Sequence, residues 1–283
     1  MLVRDTLRSN WVGCLDLEDG HVVWETEKLP QDPTVTELVG TPYIRVADGR
    51  PTVRPSASMA GSCGSPEPDG AWSTGASDVV RATDGQVPGW SRGLRNLVHV
   101  DGVAVGHSGT GVRAVDLTSG RTLWERDART QGIVPDSKTL YLTAEPQPAE
   151  PEPGGVVTRL DPRSGREVWS VTLPQPVGTV EPFDDCVLVA GQAEGTSPVL
   201  TLLERGDGAV RWTSEIGGSL SELLFGEGQV LVVYNPADGG GTRLAGLDLE
   251  TGESLWDTRL PGEPTVVGHR LVVSGEGAFT VYG

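Results

Sequence analysis

The residue types that could do chemistry in this chain are few, and their spacing does not bring them together. Four histidines, His21, His99, His107 and His269, show no pairing at the spacing that puts two imidazoles on one metal ion. Three cysteines, Cys14, Cys63 and Cys186, cannot all pair with one another and match no zinc pattern. Cys14 fills a small-residue slot of its repeat and reads as a buried free thiol, while one disulfide between Cys63 and Cys186 stays open. The adjacent acids Asp184 and Asp185 point apart in a strand or turn, so they cannot divide the work of general acid and base. No nucleophile elbow, phosphate loop or dinucleotide fingerprint occurs, and Gly239-Gly240-Gly241 is a loop with no helix behind it. No catalytic, cofactor-binding or metal-ligating residue is assigned, and the chain is expected not to be an enzyme.

What recurs at fixed spacing is a skeleton of acid, glycine four residues on, and tryptophan four further. It stands as Asp116, Gly120 and Trp124, and again as Asp16, Gly20 and Trp24, as Asp161, Gly165 and Trp169, and as Asp248, Gly252 and Trp256. Glu204, Gly208 and Trp212 repeat it with the acid one methylene longer. Gly85 and Trp90 form a degenerate copy with Arg81 at the acid's place. Each copy reads as a hairpin, in which the acid accepts from turn amides and the glycine supplies the positive φ of a short loop with a bulge. The tryptophan on the second strand is expected to wedge against the neighbouring repeat. Burying roughly 150–250 Å² of ring at ~25 cal/mol/Å² gives an upper bound of roughly 4–6 kcal/mol per contact.

Successive tryptophans lie 45, 43 and 44 residues apart from Trp124 through Trp169 and Trp212 to Trp256. That is the length of a four-stranded, WD40-like propeller blade, and the Gly, Pro and β-branched content excludes helical solenoids of similar period. The stretch Ala114 to Trp124 matches Ala-x-Asp-x-x-Thr/Ser-Gly-x-x-x-Trp at every fixed position and resembles the repeat of the pyrroloquinoline-quinone (PQQ)-like family. The resemblance implies an all-β propeller of four-stranded antiparallel blades, spanning nearly the whole chain. It does not imply one function, since the family holds alcohol dehydrogenases, outer-membrane assembly lipoproteins and sensor domains. Its quinoprotein dehydrogenases bind PQQ and calcium beside an adjacent cysteine pair. This chain has no such pair, so no cofactor is carried over.

Along the chain, residues 1–25 read as the end of a blade whose innermost strand is missing. Strands over 34–39, 43–46 and 78–83 follow, interrupted by a loop insertion at 47–77. Four regular units occupy 94–125, 131–170, 177–213 and 219–257, and three strands close the sequence. Residues 21–25 could complete that last blade. Met1 is expected to lie inside a blade, with an upstream inner strand and an anchor, giving seven blades. If the chain is complete, six is the better count. One domain over 1–283 is expected on either count.

The long connections at 47–77, 144–155, 192–198 and 235–242 all follow a second strand, so alternating strand direction puts them on one rim. That rim is the candidate interaction face, with Trp72, Glu150, Glu152 and Asp238 as candidate binding residues. The alternative is that acidic, proline-rich connections are solvated spacers. A net charge of −17, from 39 acids against 22 Lys plus Arg, disfavours nucleic acid as a partner. The expected function is a monomeric binding scaffold for a protein, peptide or cell-envelope component, extracytoplasmic by family resemblance. Membrane attachment would come only through the missing N-terminal anchor. A sensing domain of a larger membrane protein and a reduced quinoprotein oxidoreductase are the alternatives.

Overall fold

In the computed structural model, short antiparallel strands follow one another from end to end, with a 3-10 turn at Gly89–Ser91. The structure describes strands 2–5, 11–15, 22–26, 34–37, 43–47, 53–55 and 78–81 of the first 86 residues. From residue 87 it describes all but 110, 128–129, 145–153, 194, 227, 268–269, 276–277 and 283. Two compact units result, Met1–Leu140 with Leu160–Arg166, and Tyr141–Arg159 with Glu167–Gly283.

The first unit contains β1 (Leu2–Asp5), β2 (Trp11–Leu15) and β3 (Val22–Thr26), with β6 (Val53–Pro55) added outside β3. Next come β4 (Thr34–Glu37), β5 (Tyr43–Ala47) and β7 (Asp78–Arg81) as a three-stranded sheet. After them β8 (Leu94–Val100), β9 (Val103–Ser108), β10 (Gly111–Asp116) and β11 (Thr122–Arg126) form a four-stranded sheet. Strands β12 (Thr130–Asp136), β13 (Thr139–Ala144), β14 (Gly155–Leu160) and β15 (Glu167–Leu173) are again four in sequence order, with β12 counted in the first unit and β15 in the second.

The second unit holds two regular four-stranded sheets. One is β16 (Val177–Phe183), β17 (Cys186–Gly191), β18 (Val199–Glu204) and β19 (Val210–Glu215). The other is β20 (Gly218–Gly226), β21 (Gln229–Pro236), β22 (Arg243–Asp248) and β23 (Ser254–Arg259). A three-stranded sheet, β24 (Glu263–Val267), β25 (Arg270–Gly275) and β26 (Ala278–Tyr282), ends the chain. These sheets are blades of the propeller type. Middle strands are apolar runs covered on both faces: all six residues of β17 are buried. Leu188, Leu200 and Trp212 of one sheet share a core with Val230, Val232 and Leu247 of the next. The hairpin joining third and fourth strands carries a bulge just before the motif acid, at Cys14/Leu15, Ala114/Val115, Leu202/Leu203 and Gly246/Leu247.

The motif tryptophans tie sheet to sheet through one repeated contact. The Trp124 indole N–H donates to the Pro162 carbonyl at 2.8 Å, Trp169 to Arg205 at 3.0 Å and Trp212 to Leu249 at 2.8 Å. Each acceptor is the residue after the motif acid of the following repeat. The ring lies over the motif glycine of that same repeat: a Cβ would stand 2.7 Å from Trp124 at Gly165, 2.8 Å from Trp169 at Gly208 and 2.6 Å from Trp212 at Gly252. Trp90 of the degenerate copy sits likewise against Gly120, at 3.0 Å. These glycines also have φ of +67° to +78°, so both turn geometry and the approach of the indole exclude a side chain.

Three sequence expectations are corrected. The 47–77 insertion is not loop throughout, because Val53–Pro55 forms β6. Nor do residues 21–25 complete the C-terminal sheet: β3 has β2 on one side and β6 on the other. Cys186 is a free thiol buried in the core shared by two sheets, donating to the Phe183 carbonyl at 3.2 Å. Burial pushes its pKa up to about 11, so it is neither in a disulfide nor nucleophilic at neutral pH.

Replacing Trp169 by Ala is expected to cost about 3–5 kcal/mol, read from the urea midpoint and slope. Gly208→Ala, with positive φ and the indole in its way, is expected to cost about 1–3 kcal/mol. Gly206→Ala, with nothing within 4 Å of its Cβ, should fall within about 0.5 kcal/mol of the parent.

Candidate functional site

Each motif hairpin is built by its acid. Asp116 Oδ1 accepts from the Ser119 amide (2.8 Å), the Ser119 hydroxyl (2.8 Å) and the Thr118 amide (3.1 Å). Asp161 Oδ1 accepts from the amide and hydroxyl of Ser164, both at 2.7 Å. Asp248 Oδ1 takes the amides of Thr251 and Glu250, both at 2.9 Å. These donors hold all three carboxyls below the usual range, led by the Ser119 amide, the Ser164 hydroxyl and the Thr251 amide respectively.

Glu204 departs from this pattern. Its longer side chain leaves the turn and meets Arg211 through two hydrogen bonds, Nε to Oε1 at 2.8 Å and Nη2 to Oε2 at 2.9 Å. Arg211 also reaches Asp185 (3.2 Å) and Glu250 (3.5 Å) and is largely covered. That fork lowers the Glu204 pKa and raises that of Arg211. Asp207 takes over part of the turn, accepting from the Ala209 amide at 3.0 Å. The extra methylene therefore changes the acid's role, a difference that residue spacing alone does not reveal.

The residue after the acid makes a second tie. Its N–H donates to the turn between first and second strands of its own sheet, Leu117 to Gly102, Arg205 to Asp185 and Leu249 to Gly228 at 2.8–3.0 Å, and Arg205 and Leu249 also accept an indole on their carbonyls. Pro162 has no N–H to give. Its neighbour Arg163 instead donates to the Asp101 carbonyl at 3.3 Å and stands 3.6 Å from Asp116.

Of the candidate binding residues, Trp72, Glu150 and Glu152 lie outside the described residues, as do the motif residues Asp16, Gly20 and Gly85. Trp24 lies on β3. Asp238 is exposed, and its Oδ1 accepts from the Gly240 amide at 3.0 Å. Its loop is closed further by Gly239 N–H to Pro236 carbonyl (3.1 Å) and by Thr242 and Asn235 side chains at 2.9 Å. The connection after β17 is tied in the same manner, by Gln192 to the Thr196 carbonyl (2.6 Å) and Thr196 to Ala193. In the second unit the contact between Trp212 and Leu249 aligns the motif ends of two sheets, so both connections emerge at the opposite end. A pin at that end is not legible in the sequence: Tyr234 O–H donates to Asp257 Oδ2 (2.6 Å) and Arg243 Nε to Oδ1 (2.8 Å). Tyr234 and Arg243 are direct cross-strand partners, and only strand register reveals that.

Among the described residues no group of three or more His, Cys, Asp or Glu side chains is placed to hold a metal ion. His99 is occupied as an acceptor from the Gly102 amide at 3.2 Å. Burial, its largest influence, lowers its pKa, as it does for His107, where the Arg95 charge adds to it. The sequence has no adjacent cysteine pair, and no described residues form a ligand group of the kind that holds calcium beside a quinone.

Because the motif aspartates have depressed folded-state pKa values, their stabilisation is complete above the unfolded value and disappears as pH falls through the folded one. Melting temperature is therefore expected to drop steeply below about pH 4. The D116N/D161N/D248N variant should melt lower at pH 7 and show a flatter decline between about pH 4 and pH 2, followed by circular dichroism.

Residues 153–282 match the family model described as outer membrane protein assembly factor BamB. No curated protein matches the chain. Among solved structures it is similar to BamB from Moraxella catarrhalis, with TM-score 0.53 and 14% identity over 99% of this chain and 83% of that one. It is also similar to Hsv2 of Kluyveromyces lactis carrying a Gly-Ser linker for its loop 6CD, at TM-score 0.57, 12% identity, and 96% and 84% coverage. A third similar structure is KlAtg21 in complex with the coiled-coil of AgAtg16, at TM-score 0.53, 13% identity, and 96% and 87% coverage. At these identities the structural matches speak for the fold alone. With its Asp-Gly-Trp hairpins seated one on the next, its antiparallel blades and the match over 153–282, the chain is similar to the PQQ-like β-propeller family.

Proposed function

We propose that this chain is a non-catalytic scaffold that binds a protein, peptide or cell-envelope component through the connections following its second strands. The observation that carries this reading is the construction of the two described connections in the second unit. Each is closed by its own hydrogen bonds and stands at the end of its sheet away from the motif turns. Loops held on a rigid sheet present a pre-formed surface and lose little entropy on binding. The match to the BamB model supports a partner in extracytoplasmic assembly, and the acidity of the chain favours a partner face with basic groups. Trp72, Glu150, Glu152 and Asp238 are the binding residues of this proposal, with Trp72 as the apolar anchor.

Two variants test it. Replacing 56–77 by a short Gly-Ser turn spares β6, and the E150K/E152K/D238K variant reverses the rim charge. Both are expected to keep the parent's urea midpoint. Both should also lose about tenfold or more in affinity for the partner cross-linked to the native protein in its source cells. Undiminished affinity in both variants would overturn the reading.

A further inference from the structure

The outer strand of the sheet β20 to β23 differs from its counterparts. All six residues of β23 are exposed, whereas β15 and β19 bury their tryptophans. Leu255 and Trp256 stand side by side at 52% and 37% exposure, against 6% for Trp169 and 7% for Trp212. Among the described residues the Trp256 indole seats on no motif turn. It turns back on its own sheet, donating to Gln229 Oε1 at 2.9 Å with its ring against Gly246. Among the described residues β23 pairs with β22 alone, as β11, β15 and β19 each pair with one strand, so its other backbone edge is open like theirs. The strand has none of the proline or lysine residues that usually guard such an edge.

The first unit shows how an edge of this kind is covered. There β6 lies antiparallel on β3, with Trp24 opposite Pro55, Glu25 opposite Arg54 and Thr26 opposite Val53. The covered strand reads Trp24-Glu25-Thr26, and β23 reads Trp256-Asp257-Thr258. The other outer strands read Trp124-Glu125-Arg126, Trp169-Ser170-Val171 and Trp212-Thr213-Ser214. The open edge thus repeats the residue pattern of the edge that is already covered.

We infer that β23 accepts an extended segment of a partner protein as an added antiparallel strand, with the pattern Val-Arg-Pro and its arginine opposite Asp257. Ladder hydrogen bonds supply the affinity of such an addition, and the arginine facing an acid sets its register. Asp257 is one-third exposed and already holds Arg243 and Tyr234, which fixes its carboxylate while leaving lone pairs for a third donor. The net charge of −17 attracts a basic segment and opposes a second copy of the chain. This site is separate from the loop face and does not depend on it.

The test uses the full chain and a synthetic peptide of residues 50–58, Arg-Pro-Thr-Val-Arg-Pro-Ser-Ala-Ser, followed by amide hydrogen exchange. The peptide is expected to slow exchange across 254–259 about tenfold or more. The same peptide with Glu at its second arginine should not. The loop-face variants should retain the protection, which separates the two readings. Any of four results would overturn the inference: protection confined to 22–26, through displacement of β6; equal protection by the Glu peptide; no protection at millimolar peptide; or protection of 254–259 without peptide together with a dimer in sedimentation.

Discussion

An indole seated on the next hairpin is the interaction on which the regular part of this structure depends. A four-stranded sheet of this size cannot bury its own faces, and Trp124, Trp169 and Trp212 each supply both apolar area and a directed hydrogen bond to the following repeat. The seat has two parts, a glycine with no Cβ to block the ring and a carbonyl one residue beyond the motif acid. Desolvating an indole N–H without an acceptor would offset much of what its ring contributes. The carbonyl is therefore as necessary to the contact as the apolar surface.

The acid makes that seat rigid. By gathering turn donors onto one carboxylate oxygen, Asp116, Asp161 and Asp248 fix their turns, and with them the Pro162 and Leu249 carbonyls that accept indoles. Leu117 and Leu249 also clamp the first hairpin of their own sheets through their N–H groups, which Pro162 lacks. Where the pattern varies, charged side chains make other ties: Arg163 beside Pro162 reaches Asp101 and Asp116 of the preceding sheet, and Arg211 takes up Glu204. Both substitutes run over the surface of the hairpins rather than through the core, so the seat tolerates exchange of the acid as long as the glycine and the carbonyl remain.

A scaffold stabilised in this way is indifferent to what its connections carry. The two described second-strand connections of the second unit take no part in seating the indoles and fold on themselves through short-range hydrogen bonds. They are free to vary in length and charge without loosening the sheets. The outer strand β23 is the complementary case, where a tryptophan stands at the surface and donates to Gln229 of its own sheet.

Turn chemistry and strand period are local, and residues within ten positions of one another carry them. The sequence by itself therefore determined the all-β repeat, the four regular units, the glycines at positive φ and the aspartates at their turns. Even the want of metal-ligand spacing among the histidines was legible in it. The partner of each indole lies 36 to 38 residues away, and no local pattern says which carbonyl will meet it. Tertiary structure alone decided that Glu204 turns to Arg211, that Cys186 points into a shared core, and that Tyr234, Arg243 and Asp257 form one pin. It also decided that Val53–Pro55, inside a stretch without periodicity, becomes a strand on β3. Pairing of that kind depends on the open backbone edge that receives the segment, and only the folded neighbour provides it.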